Sequence, residues 1–544
     1  MTGTGAMGGT AADSTGYSPA SARRLALFGL VAAALLVFAI IKGVTEFLVW
    51  RPALALLWMA ICVAGASSFF WVEYKTLPDF ARRLLRASAL FVAFYFLTEP
   101  LELPASGLPA DSPVPALLPY LRWLGFLAGA AAWFRPSFMV AGAMILWVVR
   151  GMFHPITGAL FSTLDIQIVI EFLVFAGTAL VGFGAARAIT LTRSRLRLDE
   201  ETFRSASLLV VVIAMGAHFG NYFYSAIAKL TLEGGVFSWV AGNRLYDSIL
   251  GGLEKGTFPF AASPALTQII YDAVRTFNIP MHIGSLTIQF VALFAFFNRR
   301  LMMALTGLFD LFHLFVYLTV GLFFWKWIAL NSIILVTLAK IKSEAWTRTV
   351  AVVGTLTVLF GFVLFTTARL GWYNAPSIYS TYFEAETATG ERYRVPSSFF
   401  GTSSYQVSQG WLYSEISSGD FNHSIWTAVY TVADLEAARK CAPMARAVPD
   451  IRFGPLENVA RFAWLNHDRA LKKGGADGRF NDRLYIHHHM PSPFTARPFD
   501  KLDKRDITAY YYMAESVCLS LEKGRLRRNV LKRVEYQLPR PGNG

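Results

Sequence analysis

Long apolar runs recur through the first two thirds of the chain, separated by short charged or turn-forming stretches. Each run is close to, or somewhat short of, the roughly 20 residues that an α-helix needs to cross a bilayer. The runs cover residues 25–41, 52–73, 84–98, 115–134, 136–150, 165–187, 207–229, 282–298, 301–340 and 350–370. The run from 301 to 340 is long enough for two helices and is predicted to break near Gly321. The pattern predicts an α-helical polytopic membrane bundle of about 9–11 transmembrane helices.

The pattern changes in the last third of the chain. This part mixes charged residues, turn-forming residues and short apolar stretches, with no long apolar run. It is long enough for a core of its own, so residues 372–544 are predicted to form an extramembrane α+β domain with helices at 433–445 and 508–524. Residues 1–22 are rich in Gly, Ala, Ser and Thr, which predicts a disordered tail before the transmembrane domain of residues 23–371.

The formal net charge of +14 comes largely from basic residues in short clusters between the apolar runs. Five clusters fall on one side of the membrane when about eleven spans are threaded in order; they are Arg23/Arg24, Lys75/Arg82/Arg83/Arg86, Arg187/Arg193/Arg195/Arg197, Arg299/Arg300 and Lys340/Lys342/Arg348. The positive-inside rule then predicts an inner-membrane protein with a cytoplasmic N-terminus and an exterior C-terminal domain. Because no helix-turn-helix, zinc-finger or RNA-binding signature accompanies the charge, nucleic acid is not expected as a partner.

A polar stripe interrupts the seventh apolar run. His218, Asn221, Ser225 and Lys229 follow one another at spacings of three, four and four residues, which places them on one face of a helix, with Tyr222 on the same side. Polar side chains are costly in lipid unless they face a cavity or a partner, so the stripe predicts a binding or catalytic site. The alternative is structural, because polar side chains also hold transmembrane helices together and a lysine near a helix end can reach the membrane surface.

Other polar residues also lie at predicted membrane depth. Asp310 and His313 share a helix face at a spacing of three, as either a proton-handling pair or a structural hydrogen bond requires. His154 precedes a proline, where a structural role is the alternative to a place in the site. The connection 231–282 is predicted to form amphipathic helices at the bilayer surface, and Trp239 fits such an interface.

Cysteines and a histidine run mark the C-terminal domain. Cys441 and Cys518 are its two cysteines, and a pair in an oxidising compartment predicts a disulfide, with two buried free thiols as the alternative. The consecutive His487, His488 and His489 cannot all point at one ion from a helix or a strand, so a metal site is not the favoured interpretation.

Two segments resemble a motif of the vitamin K-dependent gamma-carboxylases and of the wider bacterial HTTM family. YFYSAIAKL at 222–230 and FSWVAG at 237–242 match a Tyr-Phe, a small pair and Lys-Leu followed by Trp-x-x-Gly. Residues 153–175 look like the family's loop and Asp-led helix, and residues 309–325 look like its His-bearing helix. The likeness covers roughly residues 24–345.

The resemblance implies a base for a quinone reaction. In the carboxylases, the lysine of this motif deprotonates a reduced quinone, so the resemblance implies this role for Lys229 and, more loosely, a place in the site for His154 and His313. A lysine in apolar, water-poor surroundings has its neutral form favoured, and it can then accept a proton near neutral pH. The family's Asn-Asn-His stretch is absent before the helix that begins near Asp165.

The predicted function is a membrane-embedded, carboxylase-like or oxidoreductase-like enzyme that uses a reduced quinone. The catalytic candidates are Lys229, His218, His313 and Asp310. The candidate binding residues are Tyr222, Asn221, Ser225, His154 and Trp239. Expected partners are membrane lipid, a lipid-soluble quinol or other small molecule, and a peptide or protein at the exterior domain. The alternative is a non-enzymatic membrane scaffold or transport protein whose exterior domain binds a partner.

Overall fold

The computed structural model describes residues 19–98, 114–157, 164–192, 199–409, 426–442, 444, 456–473, 488–495 and 497–540. The predicted disordered tail lies outside these ranges except for its last residues, which belong to the first helix. The helices before the first strand are α1 (Pro19–Leu48), α2 (Pro52–Ser67), α3 (Asp79–Thr98), α4 (Val114–Ala131), α5 (Ser137–Thr157), α6 (Leu164–Thr192), α7 (Glu200–Leu230), α8 (Ser238–Gly242), α9 (Leu245–Lys255), α10 (Pro264–Thr276), α11 (Asn278–Val291), α12 (Arg299–Val320), α13 (Trp325–Leu338) and α14 (Arg348–Phe360).

The apolar pattern and the helices agree in class. Among the described residues, five helical stretches are long and apolar enough to cross a membrane: Arg23–Leu48, Ile166–Thr190, Glu200–Leu230, Asn278–Phe297 and Arg299–Val320. Shorter apolar helices in the same part of the chain are Pro52–Ser67, Ala116–Ala131, Ser137–Met152, Trp325–Leu338 and Arg348–Val363. The helical class of the bundle is confirmed, whereas the number of membrane spans stays a prediction.

The break predicted near Gly321 is confirmed. Gly321 ends α12 in the left-handed conformation, with φ of 84°, and its N–H donates to the Tyr317 carbonyl. A Cβ at this position would lie 2.8 Å from the Thr257 carbonyl carbon, so both the backbone angle and the close approach require glycine. The turn separates α12 from α13 and places the start of α13 against the C-terminal domain, where the Phe323 N–H donates to the His488 carbonyl.

The last predicted span, 350–370, is wrong at its C-terminal end. Helix α14 stops at Phe360, a single 3₁₀ turn follows, and the chain from Leu364 to Trp372 has no regular secondary structure. Its backbone groups therefore need partners outside a helix. Several of those partners come from α7, as described below.

Helix α7 forms the centre of the bundle. Asp199 caps its N-terminus by accepting a hydrogen bond from the Thr202 N–H, and Glu200 and Glu201 occupy the first turn, where the helix dipole favours acidic side chains. Helices α1, α6, α11 and α14 pack around α7 and bury nearly its whole length. The four residues of the polar stripe are consequently buried inside the protein.

The C-terminal domain contains two sheets, a large sheet of four strands and a small sheet of two. Its strands are β1 (Tyr373–Asn374), β2 (Ser377–Thr387), β3 (Arg392–Val395), β4 (Ala428–Val429), β5 (Ile507–Glu522) and β6 (Arg525–Leu538). The described helices of this domain are α15 (Ser404–Gln409), α16 (Val432–Arg439), α17 (Leu456–Lys473) and α18 (Pro498–Lys501). One antiparallel sheet has the order β3-β2-β5-β6, and β1 pairs with β4 in the other.

The helix predicted at 508–524 is wrong, because this segment is the central strand β5. The strand lies between β2 and β6 and is buried on both faces along most of its length. Burial on both faces removes the alternation of apolar and polar residues that marks a half-exposed strand. The apolar run therefore could not be distinguished from a helix by its periodicity.

A disulfide links two parts of the C-terminal domain. Cys441 follows the end of α16, and Cys518 lies in β5, opposite Ser377 of β2. Their Cα atoms are 5.6 Å apart, with a sequence separation of 77 residues. Neither cysteine is in a helix, which corrects the predicted placement of both.

Candidate functional site

Three of the four residues of the polar stripe bind the irregular segment that follows α14. Asn221 Oδ1 accepts a hydrogen bond from the Ala368 N–H at 2.7 Å, and Ser225 Oγ accepts one from the Leu370 N–H at 3.2 Å. Lys229 Nζ donates to the Leu370 carbonyl at 2.6 Å. These bonds satisfy backbone groups that have no partner in regular secondary structure. Asn221 and Ser225 therefore have a structural role that explains their place on the stripe.

Lys229 is held by three oxygen atoms. Besides the Leu370 carbonyl, its ammonium donates to Gln289 Oε1 at 3.0 Å and to the Ser225 carbonyl at 3.2 Å. Nζ also lies 5.3 Å from the centre of the Trp239 ring, at a distance suited to a cation–π contact. Three acceptors match the three N–H bonds of a protonated lysine. To act as a base, Lys229 must give up one of these bonds.

His218, the fourth residue of the stripe, and the neighbouring Tyr222 belong to a second hydrogen-bond network. His218 Nε2 lies 2.9 Å from Asn331 Oδ1, and because an amide oxygen only accepts, Nε2 carries the proton. Asn331 Nδ2 donates to the Tyr222 hydroxyl at 3.1 Å and to Asp310 Oδ1 at 2.9 Å. The Tyr222 ring stacks on Phe309, with centroids 3.6 Å apart. One asparagine on α13 thus connects three of the predicted site residues.

Asp310 and His313 do not form the hydrogen-bonded pair that their spacing suggests. Asp310 bonds to Asn331, whereas His313 packs on the Phe324 ring at 5.2 Å and approaches Tyr222 at 5.8 Å between ring centroids. His313 Nδ1 is buried and has no hydrogen-bonding partner among the described residues. An imidazole nitrogen left unpaired in a buried site is a candidate contact for a ligand.

Trp239 lies beside the lysine and not at a free surface. Its indole N–H donates to the Trp372 carbonyl at 2.9 Å, and its ring packs against His282 at 4.6 Å. His282 is itself fixed by Asn243 Nδ2 and by the Val240 carbonyl. The short helix α8 is thereby tied both to α11 and to the entry of the C-terminal domain.

These groups surround a cavity of about 450 Å³. Its wall is mostly aliphatic and aromatic, and among the described lining residues Lys229 is the one with a formal charge at pH 7. The polar and aromatic residues that line it are Tyr222, Ser225, Lys229, Trp239, Ser248, His282, Ser285, Gln289, Phe312, His313, Phe315, Thr319, Phe324, Trp327, Trp372, Asn374 and Trp426. A mostly apolar cavity with a few converging polar groups is the usual form of a small-molecule site.

The structure brings together most of the predicted site residues. Tyr222, Ser225, Lys229, Trp239 and His313 line the cavity. His218, Asn221 and Asp310 are not among the lining residues. His218 and Asp310 bond to Asn331, and Asn221 binds the segment after α14.

His154 and part of the histidine run cannot be placed in the site. His154 lies in α5, but its side chain is outside the described residues, as is all of His487. His488 and His489 pack against aromatic rings, those of Phe324 and Trp426 respectively. No group of three or more His, Cys, Asp and Glu residues suited to a metal ion occurs within the described ranges.

Sequence reasoning missed three residues of the site: Gln289, Asn331 and His282. Each is a buried polar residue inside an otherwise apolar helix, in α11 or α13. That signal was present in the sequence, and it is the same signal that singled out Asp310 and His313. Their partners, however, come from other helices and could be identified only in three dimensions.

A buried ionic network joins α9 to the large sheet. Glu254 accepts hydrogen bonds from Ser380 at 2.7 Å, from Arg394 at 3.0 Å and from Arg528 at 2.8 Å. Burial alone would raise the pKa of the Glu254 carboxyl, but Arg394 and Arg528 outweigh it and hold this pKa at about 2. Arg528 also pairs with Glu515 of β5. The network fixes the C-terminal domain against the helices that carry the cavity.

Comparisons of the chain with protein-family models, with curated proteins and with solved structures find no match.

Proposed function

We propose that the chain is a multi-pass membrane protein that binds a lipid-soluble small molecule of the reduced quinone class in the cavity beside Lys229. The observation that carries the proposal is the position of Lys229, the one formally charged described residue on a wall that is otherwise mostly apolar and aromatic. The resemblance to the carboxylases suggests the same ligand class. A carboxylase-like or oxidoreductase-like reaction is the corresponding proposal for the chemistry.

The residues of the cavity fit a ring with polar substituents. Trp327, Phe324 and Tyr222 offer aromatic faces and edges to a planar ring, and the cavity is within the size range of ligand sites, about 300–1,000 Å³. His313 Nδ1 has no partner among the described residues and can form a hydrogen bond with an oxygen substituent of the ring. A bound quinol would supply the acidic hydroxyl and the redox chemistry.

Lys229 is the candidate proton acceptor. A neutral amine has two N–H donors and one lone pair, so it can keep two of its three present bonds and direct the lone pair at a hydroxyl in the cavity. When the ligand hydroxyl takes the position of the vacated acceptor, its proton can move to Nζ, and the ammonium that forms keeps its other two hydrogen bonds. Lys229 would then hold the proton close to the bound ring.

A cavity-filling variant tests the proposal. Ser285 lines the cavity on α11, whereas Thr287 of the same helix is exposed and does not. We expect 2-methyl-1,4-naphthoquinone to quench the fluorescence of the cavity tryptophans in the wild-type protein and in Thr287→Phe, and to lose this quenching in Ser285→Phe. Equal quenching in all three proteins, or none in the wild type, would contradict the proposed site.

The alternative function is a scaffold or transport protein whose C-terminal domain binds a partner. The bonds from Asn221, Ser225 and Lys229 to the segment after α14 support it, because they give the stripe a purely structural purpose. This function is favoured if the purified protein binds no quinone while remaining folded.

We also propose the orientation given by the basic clusters, with the N-terminus in the cytoplasm and the C-terminal domain outside. A reporter enzyme that is active only outside the cytoplasm, fused after Gly544, is expected to be active. The matched fusion of a reporter that is active only in the cytoplasm is expected to be silent. The proposed orientation requires an odd number of membrane spans. The reverse pattern would show that a chain with a cytoplasmic N-terminus has an even number.

A further inference from the structure

We infer that the ligand enters the cavity sideways from the bilayer, between α11 and α12, and that it carries an apolar tail which stays in this passage. The inference rests on the proposed function and adds to it the class of ligand: an amphiphile with a ring-sized polar head. We call the passage the lateral opening; it is lined by Gly284, Ile288, Leu308, Leu311 and Phe315.

Residues of α12 show where the cavity meets the surface. Leu311 lines the cavity and is nevertheless 63% exposed, and Leu308 and Phe315 line it while 38% exposed. A side chain that borders a cavity and is also accessible from outside lies at its mouth. These three residues follow one another at spacings of three and four, so the mouth runs along one face of α12.

On the α11 side, the mouth of the cavity is bordered by Gly284, which has no side chain to narrow it. A Cβ built at Gly284 would meet no heavy atom within 4 Å, although this residue borders the cavity. The wall is therefore open at this point, and a larger side chain would project into free space. Ile288, one turn further along α11, continues the same edge.

The end of the cavity towards the C-terminal domain is closed by buried residues. Val320, Leu322, Asn374 and Trp426 line this end, and each is less than 9% exposed. A ligand from water on that side would have to displace the packed contact between α12 and the C-terminal domain. The lateral opening requires no such displacement.

The chemistry of the opening specifies the ligand. All its lining side chains are apolar, whereas the hydrogen-bonding groups, including Lys229, Gln289 and His313, lie deeper in the cavity. An apolar tail gains by remaining against Leu311 and Phe315, and a polar head gains by reaching the lysine. A molecule that satisfies both regions is a lipid-soluble amphiphile.

A pair of glycine variants tests the lateral opening. Gly284→Leu narrows it, and Gly307→Leu is the matched control, because Gly307 is also a helical glycine with no atom within 4 Å of an added Cβ and does not line the cavity. Leucine is a better helix former than glycine, so neither variant is expected to unfold. Thermal unfolding of both proteins checks that they are folded.

The readout is the rate of tryptophan quenching in nanodiscs by a naphthoquinone with a decyl tail and by 2-methyl-1,4-naphthoquinone. We expect Gly284→Leu to slow the association of the tailed quinone by about tenfold or more, with a smaller effect on the tail-less quinone and no effect of Gly307→Leu. If the wild type binds neither quinone, the proposed function fails. If it binds both and the two variants behave alike, the function stands and the lateral opening is wrong.

Discussion

Replacing Lys229 with Met is expected to lower the rate of proton transfer from a bound quinol by about 10²–10⁴-fold, the usual contribution of a general base. Met keeps the length of the side chain and its apolar contacts but removes the only formally charged group among the described lining residues. The measurement is the change in ultraviolet absorbance when the bound quinol ionises. A small primary amine is expected to restore part of the rate, because only proton transfer is missing.

The same substitution also has a structural cost. It removes the three hydrogen bonds of Nζ and leaves the Leu370 carbonyl and Gln289 Oε1 without this donor, at a cost of about 1–3 kcal/mol. Ser225→Ala is the matched control, because it removes the acceptor of the Leu370 N–H and leaves the amine in place. We expect both variants to lower the unfolding temperature, and Lys229→Met alone to lower the rate of proton transfer.

The two readouts distinguish the enzyme from the scaffold. Should a well-folded Lys229→Met protein ionise bound quinol as fast as the wild type, Lys229 is not the base. Should Ser225→Ala lose proton transfer to the same extent, the loss follows from disorder of the segment after α14 and not from the missing amine. Only a selective effect of Lys229→Met supports the proposed chemistry.

Replacing Glu254 with Gln is expected to destabilise the contact between α9 and the large sheet by about 3–5 kcal/mol. The Glu254 side chain is fully buried. A neutral glutamine in its place leaves Arg394 and Arg528 without the carboxylate that they share. The control is Glu522→Gln, which removes an exposed pair with Arg527 and is expected to cost less than about 1 kcal/mol. Thermal unfolding at neutral pH gives both values.

The pH dependence of the Glu254 variant provides an independent check. In the folded protein the pKa of Glu254 is lowered to about 2, whereas an unperturbed glutamate has a pKa of about 4.3. The stabilisation is therefore fully present above the unfolded pKa, from about pH 5, and is lost as the pH falls to the folded pKa of about 2. We expect the difference in stability between wild type and Glu254→Gln to shrink over this range. A difference that stays constant down to pH 2 would contradict the assigned ionic network.

The sequence predicted the helical part of the fold well because the apolar runs are long. A run of this length has few alternatives to a helix, and the conformational freedom of Gly321 marked the break inside the run 301–340. It predicted the C-terminal domain less well. Strand β5 is buried on both faces, so its sequence lacks the alternation that would have identified it.

The candidate site shows the same division. Spacing alone placed His218, Asn221, Ser225 and Lys229 on one face of α7, and all four are buried in the structure. Spacing could not separate Asn221, which only binds the backbone after α14, from Ser225 and Lys229, which also line the cavity. That distinction depends on Leu370, which lies 141 residues after Lys229 along the chain.

The sequence alone shows which side chains are polar in apolar surroundings and which of them share a helix face, because both follow from helix periodicity and the cost of burying polar groups. What each of them contacts depends on the tertiary structure. It connects Tyr222 and Asp310 through Asn331 and leaves His313 Nδ1 without a partner among the described residues, because hydrogen bonds between helices depend on how the helices pack. The packing of the elements also leaves the cavity beside α11 and α12, because a cavity exists only where several elements do not fill the space between them.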